Sequence, residues 1–461
     1  MLDGSAGNAR GDGMTESLGL RIVRVIAVLA VTGAAASSSA DVKPGDVVTA
    51  ANAQQVRGLI PDELVPFTIE NFPELEMKIV ATESYTPHSK YVEATVKYAC
   101  QAKLGTKGEL LNYTAGQPFP YSDWAKAATE HKCDLTPDDP QLALKLAWNF
   151  NFRWQAGGTH MPHTGQSFWR GKGDNTWKIA QGEYRRTYFS HRADLLPKTT
   201  ELVPGTDLEF AEYNETAAPF DVRGQRFLVY RYKNPLQKDD DIWAYIPSMR
   251  RVRRLASSER ADSLFGTDFT FEDLYLFSGH VWEHEWSFGG SPTVLAPMDS
   301  RRKCFPQNVP GWKPDKINVL GDDAQFFECK WGPYRALPFV GETWQKRTAV
   351  KLEQRPKRTD HPYSRRVLWY DKETFSPLMA ISWDRDGKPF RVTWYVGRWS
   401  ESTGIEADRG LRVNHMAASM VANVRDHLSN LFLFYTANAR RYGPDESLRY
   451  FDTTRLKTEG R

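Results

Sequence analysis

Several short runs of this sequence carry apolar or aromatic side chains on both faces of a strand, and this limits the folds available to the chain. In PLMAISWD, Met379, Ile381 and Trp383 share one side, with Leu378, Ala380 and Ser382 on the other. FRVTWYV sets Phe390, Val392, Trp394 and Val396 against Arg391, Thr393 and Tyr395. DIWAYI sets Trp243 and Tyr245 against Ile242, Ala244 and Ile246. An antiparallel sheet with one wet face alternates more cleanly than this. These strands therefore need cover on both sides. Helices or arms of the chain can supply it, or a removable apolar ligand held against a concave face. Trp and Tyr favour the ligand, because each joins a large apolar area to a polar tip. The expected wall is Trp243, Tyr245, Trp369, Trp383, Trp394 and Tyr395.

The rest of the pattern is mainly β (α+β): a large curved antiparallel sheet with accessory helices. EYRRTYFSHRADL, DLEFAEYNETAAPF, QRFLVYRYK and DIWAYIP follow one another across short polar turns, as in a meander. VKLEQRP, SRRVLWYDKET, PLMAISWDRDG and FRVTWYVGRW form a second, with DRDG as a hairpin turn. MKIVATESY and VWEHEWSFGG add strands. Helices are expected at YVEATVKYAC and at QLALKLAWNFNFRW, where Asp138, Asp139 and Pro140 suit the N-terminal turn. A C-terminal helix is expected over VNHMAASMVANVRDHLSNLFLFYTANAR. Residues 41–70 read as an arm with one short helix. The Gly-rich stretch 156–174, with His160 and His163, reads as a mobile loop.

The N-terminus resembles an export address. Arg21 and Arg24 precede VIAVLAVTGAAA, and small residues at Ser38 and Ala40 suit cleavage before Asp41. The apolar run is short for a membrane span. Residues 1–40 are thus expected to be a signal peptide, with Met1 or Met14 as start, and 41–461 one large periplasmic domain. Four cysteines, Cys100, Cys133, Cys304 and Cys329, are an even number for an oxidising compartment. Proximity favours Cys100–Cys133 and Cys304–Cys329 among three pairings. The second would fasten an insertion around 300–335. A four-cysteine metal site lacks its usual CxxC pairs. With 60 basic and 57 acidic residues in 461, nothing marks a nucleic-acid surface.

The segment after DIWAYI is strongly charged. RRVRR (Arg250 to Arg254) is followed by Asp268, Glu272 and Asp273 in GTDFTFEDL. The expectation is a sheet edge and flap in which Arg251 and Arg253 pair with Asp268, Glu272 and Asp273; anionic head groups or an acidic partner are the competing occupants. His280 and His284 in HVWEHE lack the HExxH order of a zinc helix, and surface or cross-strand polar contacts are expected instead. Asp239, Asp240 and Asp241 read as a solvated turn rather than a calcium loop. No GxSxG elbow and no phosphate-binding GxxxxGK[ST] loop is present. No catalytic residue, metal or cofactor is therefore expected.

AEYNETAAPF, the run from DIWAYIP to GTDFTFEDL, and SRRVLWYDKETFSPLMAISWDRDGKPFRVTWY together resemble the Gram-negative envelope proteins of the domain-of-unknown-function family numbered 1329. YVEATVKYACQAKL, LLNYTAGQPFP, DPQLALKLAWNF and SLRYFDTTRLKTEGR extend the resemblance over nearly all of the chain after residue 40. The central block is also similar to the lipoprotein-sorting LolA/LolB-like group. The resemblance implies a half-open antiparallel barrel around a lipophilic cavity, capped by helices, in the periplasm. It further implies carriage of lipids or other apolar molecules between membranes, alongside RND-type permeases or FadL-like channels. The insertion and the His160 loop depart from the family pattern. Two other classes remain: an envelope hydrolase or glycan-modifying enzyme using Asp268 with Glu272 or Asp273, and a scaffold subunit whose aromatic face is covered by protein.

Overall fold

A computed structural model describes residues 42–70, 75–170, 176–218, 220–264, 267–300, 340–403, 406–438 and 443–458. The expected leader, the expected insertion around 300–335 and the expected Cys304–Cys329 pair lie outside the described residues. The first strands are β1 (Val47–Thr49), β2 (Glu76–Ile79), β3 (Lys103–Leu104), β4 (Leu110–Leu111), β5 (Gly158–Arg170) and β6 (Thr176–Tyr188). Next come β7 (Leu208–Ala218), β8 (Arg226–Tyr232), β9 (Asp241–Ile246), β10 (Arg251–Leu255), β11 (His284–Phe288) and β12 (Thr293–Ala296). β13 (Val340–Pro356), β14 (Arg365–Asp371), β15 (Pro377–Trp383), β16 (Pro389–Trp399), β17 (Asn414–Asn423) and β18 (Leu428–Asn438) complete the set.

All but β3 and β4 join one open sheet of 16 strands, in the order β1-β2-β13-β14-β15-β16-β17-β18-β5-β6-β7-β8-β9-β10, with β11 and β12 added to β13. The sheet is mixed, because β2 runs parallel to β13 while the other pairs are antiparallel. Among the described residues the α-helices are few and short: α1 (Val65–Thr68), α2 (Ser89–Lys97), α3 (Asp123–Ala128), α4 (Leu142–Asn151), α5 (Pro444–Tyr450) and α6 (Arg455–Thr458). No helix among the described residues is long and apolar enough to cross a membrane. Cys100 and Cys133 form a disulfide.

Both faces of the sheet are covered by the chain itself. On one face, Trp369, Met379, Ile381, Trp394 and Met420 pack with Val48, Val56, Leu59 and Leu64 of the N-terminal arm. On the other, Leu368, Tyr370, Ala380, Tyr395 and Val421 pack with Leu146 and Phe150 of α4 and with Phe269, Leu274 and Phe277. Farther along, Tyr213, Leu228 and Tyr245 meet Phe451, just after α5, and Leu456 of α6.

Two expected elements are corrected. The expected C-terminal helix is the hairpin β17–β18. Residues 415–423 of β17 are all buried, so apolar side chains crowd both faces and the period-two signal disappears. The turn at 424–427 was hidden by Val424 and His427, which look neutral in a helix. The expected mobile loop at 156–174 is mostly β5, and His160 and His163 sit in its ladder opposite Asn438 and Thr436. Its glycines serve a sharp entry to the strand. Gly157 and Gly158 have φ of +84° and +144°, and a Cβ on Gly158 would stand 2.3 Å from the Arg186 carbonyl oxygen.

Candidate functional site

Leu264 and the segment 267–274 lie over the face of β18, β5, β6, β7 and β8 and border a hollow. Its lining is Tyr184, Asn214 and Phe227 from the sheet, Phe432 and Thr164 beside them, and Leu264, Thr267, Phe269, Phe271 and Leu274 from above. The sheet residues form one cross-strand row, since Tyr184 opposes Asn214 and Asn214 opposes Phe227. Phe269 packs on Phe432 with ring centroids 4.3 Å apart, and Phe271 meets Phe227 edge-on at 5.2 Å. Phe269 and Phe271 form part of the wall of a cavity of about 50 Å³.

Buried charge holds this segment down. Tyr363 Oη donates to Asp273 Oδ2 at 2.8 Å, and Arg366 Nη2 donates to Asp273 Oδ1 at 2.8 Å. Arg391 Nη1 donates to Tyr363 Oη at 2.6 Å, and its Nη2 reaches Asp268 Oδ1 at 3.4 Å. Asn423 Nδ2 also donates to Asp268 Oδ1, at 2.7 Å. Glu272 Oε1 lies 3.0 Å from His361 Nε2 and 3.7 Å from His284 Nε2. Burial alone would raise the Glu272 carboxyl, yet the two imidazoles facing it hold it well below the usual carboxylate range. Arg260 joins this group to a neighbouring one by donating to Asp240 Oδ2 at 3.0 Å and to Glu283 Oε2 at 2.9 Å. Asp240 also accepts from Arg231 Nη2 at 2.8 Å. Its burial is offset by Arg231, His280 and Arg260, and its carboxyl too is held well below the usual range.

The ligand atoms of Glu272, His284 and His361 lie within 4.8 Å of one another, and Asp239, Asp240 and His280 form a similar set. Neither donor set fits a metal ion. The Tyr363 N–H donates to His361 Nδ1 at 3.1 Å, so the ring proton sits on Nε2 and is given to Glu272. Arg366 and Arg260 also stand 3.8 and 3.9 Å from the Glu272 carboxylate and supply the charge a cation would bring. In the second set Asp240 is already bound by two guanidinium groups.

A separate, open cleft of about 450 Å³ lies between α4 and the turn after β8. Rings of Tyr113, Trp148, Phe152 and His191 line it, with Glu209, Arg231 and His280 opposite. Burial raises the Glu209 carboxyl.

The expected site residues are thereby redistributed. Asp268, Glu272 and Asp273 do come together, but around Arg366, Arg391 and Arg260. Arg251 and Arg253 are exposed on β10 and form no ion pair among the described residues, which corrects their expected pairing with these acids. The reason is position: β10 ends the strand order, two strands beyond β8, whose Phe227 meets Phe271. Trp369, Trp383 and Trp394 lie in the core under the N-terminal arm, Tyr395 lies on the opposite face, and Trp243 and Tyr245 pack near the C-terminal helices. In this structure their faces are covered by protein, and none of the six lines the hollow or the cleft. His280 and His284 are buried against different carboxylate groups. His361, Arg366 and Arg391 were missed; they lie 89, 93 and 123 residues from their partners, a distance no local pattern spans. The phenyls of GTDFTFEDL were the one signal available for the hollow.

A family model described as a protein of unknown function (DUF1329) matches residues 47–399. No curated protein matches the sequence. Among solved structures, the chain is similar to an outer membrane lipoprotein-sorting protein domain from Vibrio parahaemolyticus, at 16% identity and TM-score 0.44, covering 69% of this chain and 99% of that one. A DUF1329 family protein from Desulfovibrio piger ATCC 29098 gives 18% and 0.43, covering 68% and 96%. A LolA superfamily protein from Nitrosomonas europaea gives 10% and 0.35, covering 66% and 94%.

Proposed function

The chain belongs to the DUF1329 family of proteins of unknown function, and on that premise we propose that it binds a hydrophobic or amphipathic small molecule. The observation that carries this reading is the hollow under 267–274, walled by Phe227, Phe269, Phe271 and Phe432. A guest of lipid size enters by taking the place of the Phe269 and Phe271 rings, so the exchange trades one set of apolar contacts for another. Exclusion of water supplies the affinity, at about 25 cal/mol per Å² of apolar surface buried, less the cost of ordering guest and segment. We place the protein in the periplasm, carrying its guest between inner and outer membranes beside an RND-type permease or a FadL-like channel. The alternative of an acidic-pair hydrolase needs a carboxyl free to exchange a proton. Asp268, Glu272 and Asp273 each face a guanidinium or imidazole instead, which favours binding over bond making.

Native mass spectrometry on the full chain purified from an envelope fraction tests the proposal. A bound mass released by organic solvent is expected, as is uptake of an apolar fluorescent probe that competes with it. Protein that arrives empty and takes up no probe overturns it.

A further inference from the structure

The outer edge of the sheet carries a feature that the hollow does not use. The β7–β8 turn and the β9–β10 turn are neighbours, because a side chain added at Gly224 would stand 3.6 Å from Pro247. From the first turn projects Phe220, 91% exposed, and from the second Met249, 51% exposed. Around them Arg223, Arg250, Arg251 and Arg253 are exposed and form no ion pair among the described residues, whereas Arg254 is bound to Asp241. Asp221 is the one acidic residue in the two turns. β10 ends the strand order, and Arg251 and Arg253, opposite Ile246 and Ala244, share one side of it.

Charges along a sheet edge are a known guard against edge-to-edge pairing. That role accounts for Arg251 and Arg253 but not for a phenyl group held out in water beside them. Two projecting apolar side chains ringed by unpaired guanidinium groups match the layering of a bilayer surface, in which anionic head groups overlie acyl chains.

We propose that these two turns are a docking tip for an anionic membrane surface. Phe220 and Met249 enter the head-group boundary while Arg223, Arg250, Arg251 and Arg253 meet lipid phosphates. The contact is reversible, since two short apolar anchors and a few arginines give far weaker attachment than a membrane-spanning helix. This inference rests on the edge alone and stands or falls independently of the hollow.

Vesicle flotation with the full chain tests it, comparing pure phosphatidylcholine with phosphatidylcholine containing phosphatidylglycerol. Binding is expected only to the anionic vesicles, weakening as salt is added. Arg251→Gln and Arg253→Gln should each lower partitioning about fivefold, and Phe220→Ser should lower it at constant vesicle charge. All three positions are exposed, so unchanged circular dichroism and melting profiles will separate docking from folding. Equal binding to neutral vesicles, indifference to Phe220→Ser, or no binding at all overturns the proposal. So does binding to polyglutamate that the vesicles fail to compete, which would mark an acidic protein as the partner.

Discussion

Single residues in this protein are held by charge in places where solvent is excluded. Arg366 illustrates the point, because its guanidinium is 2.8 Å from Asp273 and also donates to the Leu276 carbonyl oxygen at 3.0 Å. Removing one partner of a buried pair leaves the other uncompensated, which costs about 3–5 kcal/mol. Arg366→Met should therefore lower the urea unfolding free energy by roughly that amount, whereas exposed Arg251→Gln should leave it unchanged. His191 acts through protons instead. Burial pushes its imidazole down to about 4 from 6.5, against the pull of its hydrogen bond to the Thr114 carbonyl oxygen. Between these values the unfolded chain binds the extra proton, so the stability that His191 contributes is complete above pH 6.5 and fades as the pH falls to about 4. Urea midpoints measured across that window should fall with pH, and His191→Phe should flatten the slope. None of these partnerships was legible in the sequence. The composition of GTDFTFEDL foretold a charged segment, but its partners come from strands far away along the chain.

Elements were easier to read where a strand has one polar neighbour in every pair, and harder where both faces are buried. β7 through β9 and β13 through β16 follow the expected meanders because short connections separate them, whereas β6 pairs with β7 across the longer stretch 189–207. β17 and β18 were mistaken for a helix because double-sided burial removes alternation. The covering of the wall residues follows from the same fact: the sequence signalled two covered faces but gave no sign that the arm, with Val56 and Leu59, covers one of them. The segment 267–274 is the element on which the binding proposal depends. Phe271→Ala should cost about 2 kcal/mol of stability, less than a fully buried phenyl would, and should raise affinity for an apolar probe by enlarging the hollow. A loss of probe binding would show that Phe271 is a contact for the guest rather than its placeholder. The Cys100–Cys133 link closes 33 residues around α3. Its loss in Cys100→Ser/Cys133→Ser should lower stability by about 3–4 kcal/mol, read as an earlier thermal transition.

Across the whole molecule, the strand order divides the sequence into three blocks that interlock out of turn. β1 and β2 sit beside β13, and β18 sits between β17 and β5. β18 is the seam: it bonds residues 418–423 on one side and β5 from 160 to 170 on the other. Contacts between distant positions close slowly, since each must overcome the entropy of a long loop. A chain assembled this way gains little by folding as it is made. The early strands β5 to β10 keep a bare edge until the last strand arrives to pair with it, and bare edges invite pairing with other chains. Such a polypeptide should need an escort during synthesis, and a nonsense codon anywhere before residue 428 should yield aggregate instead of a smaller working protein.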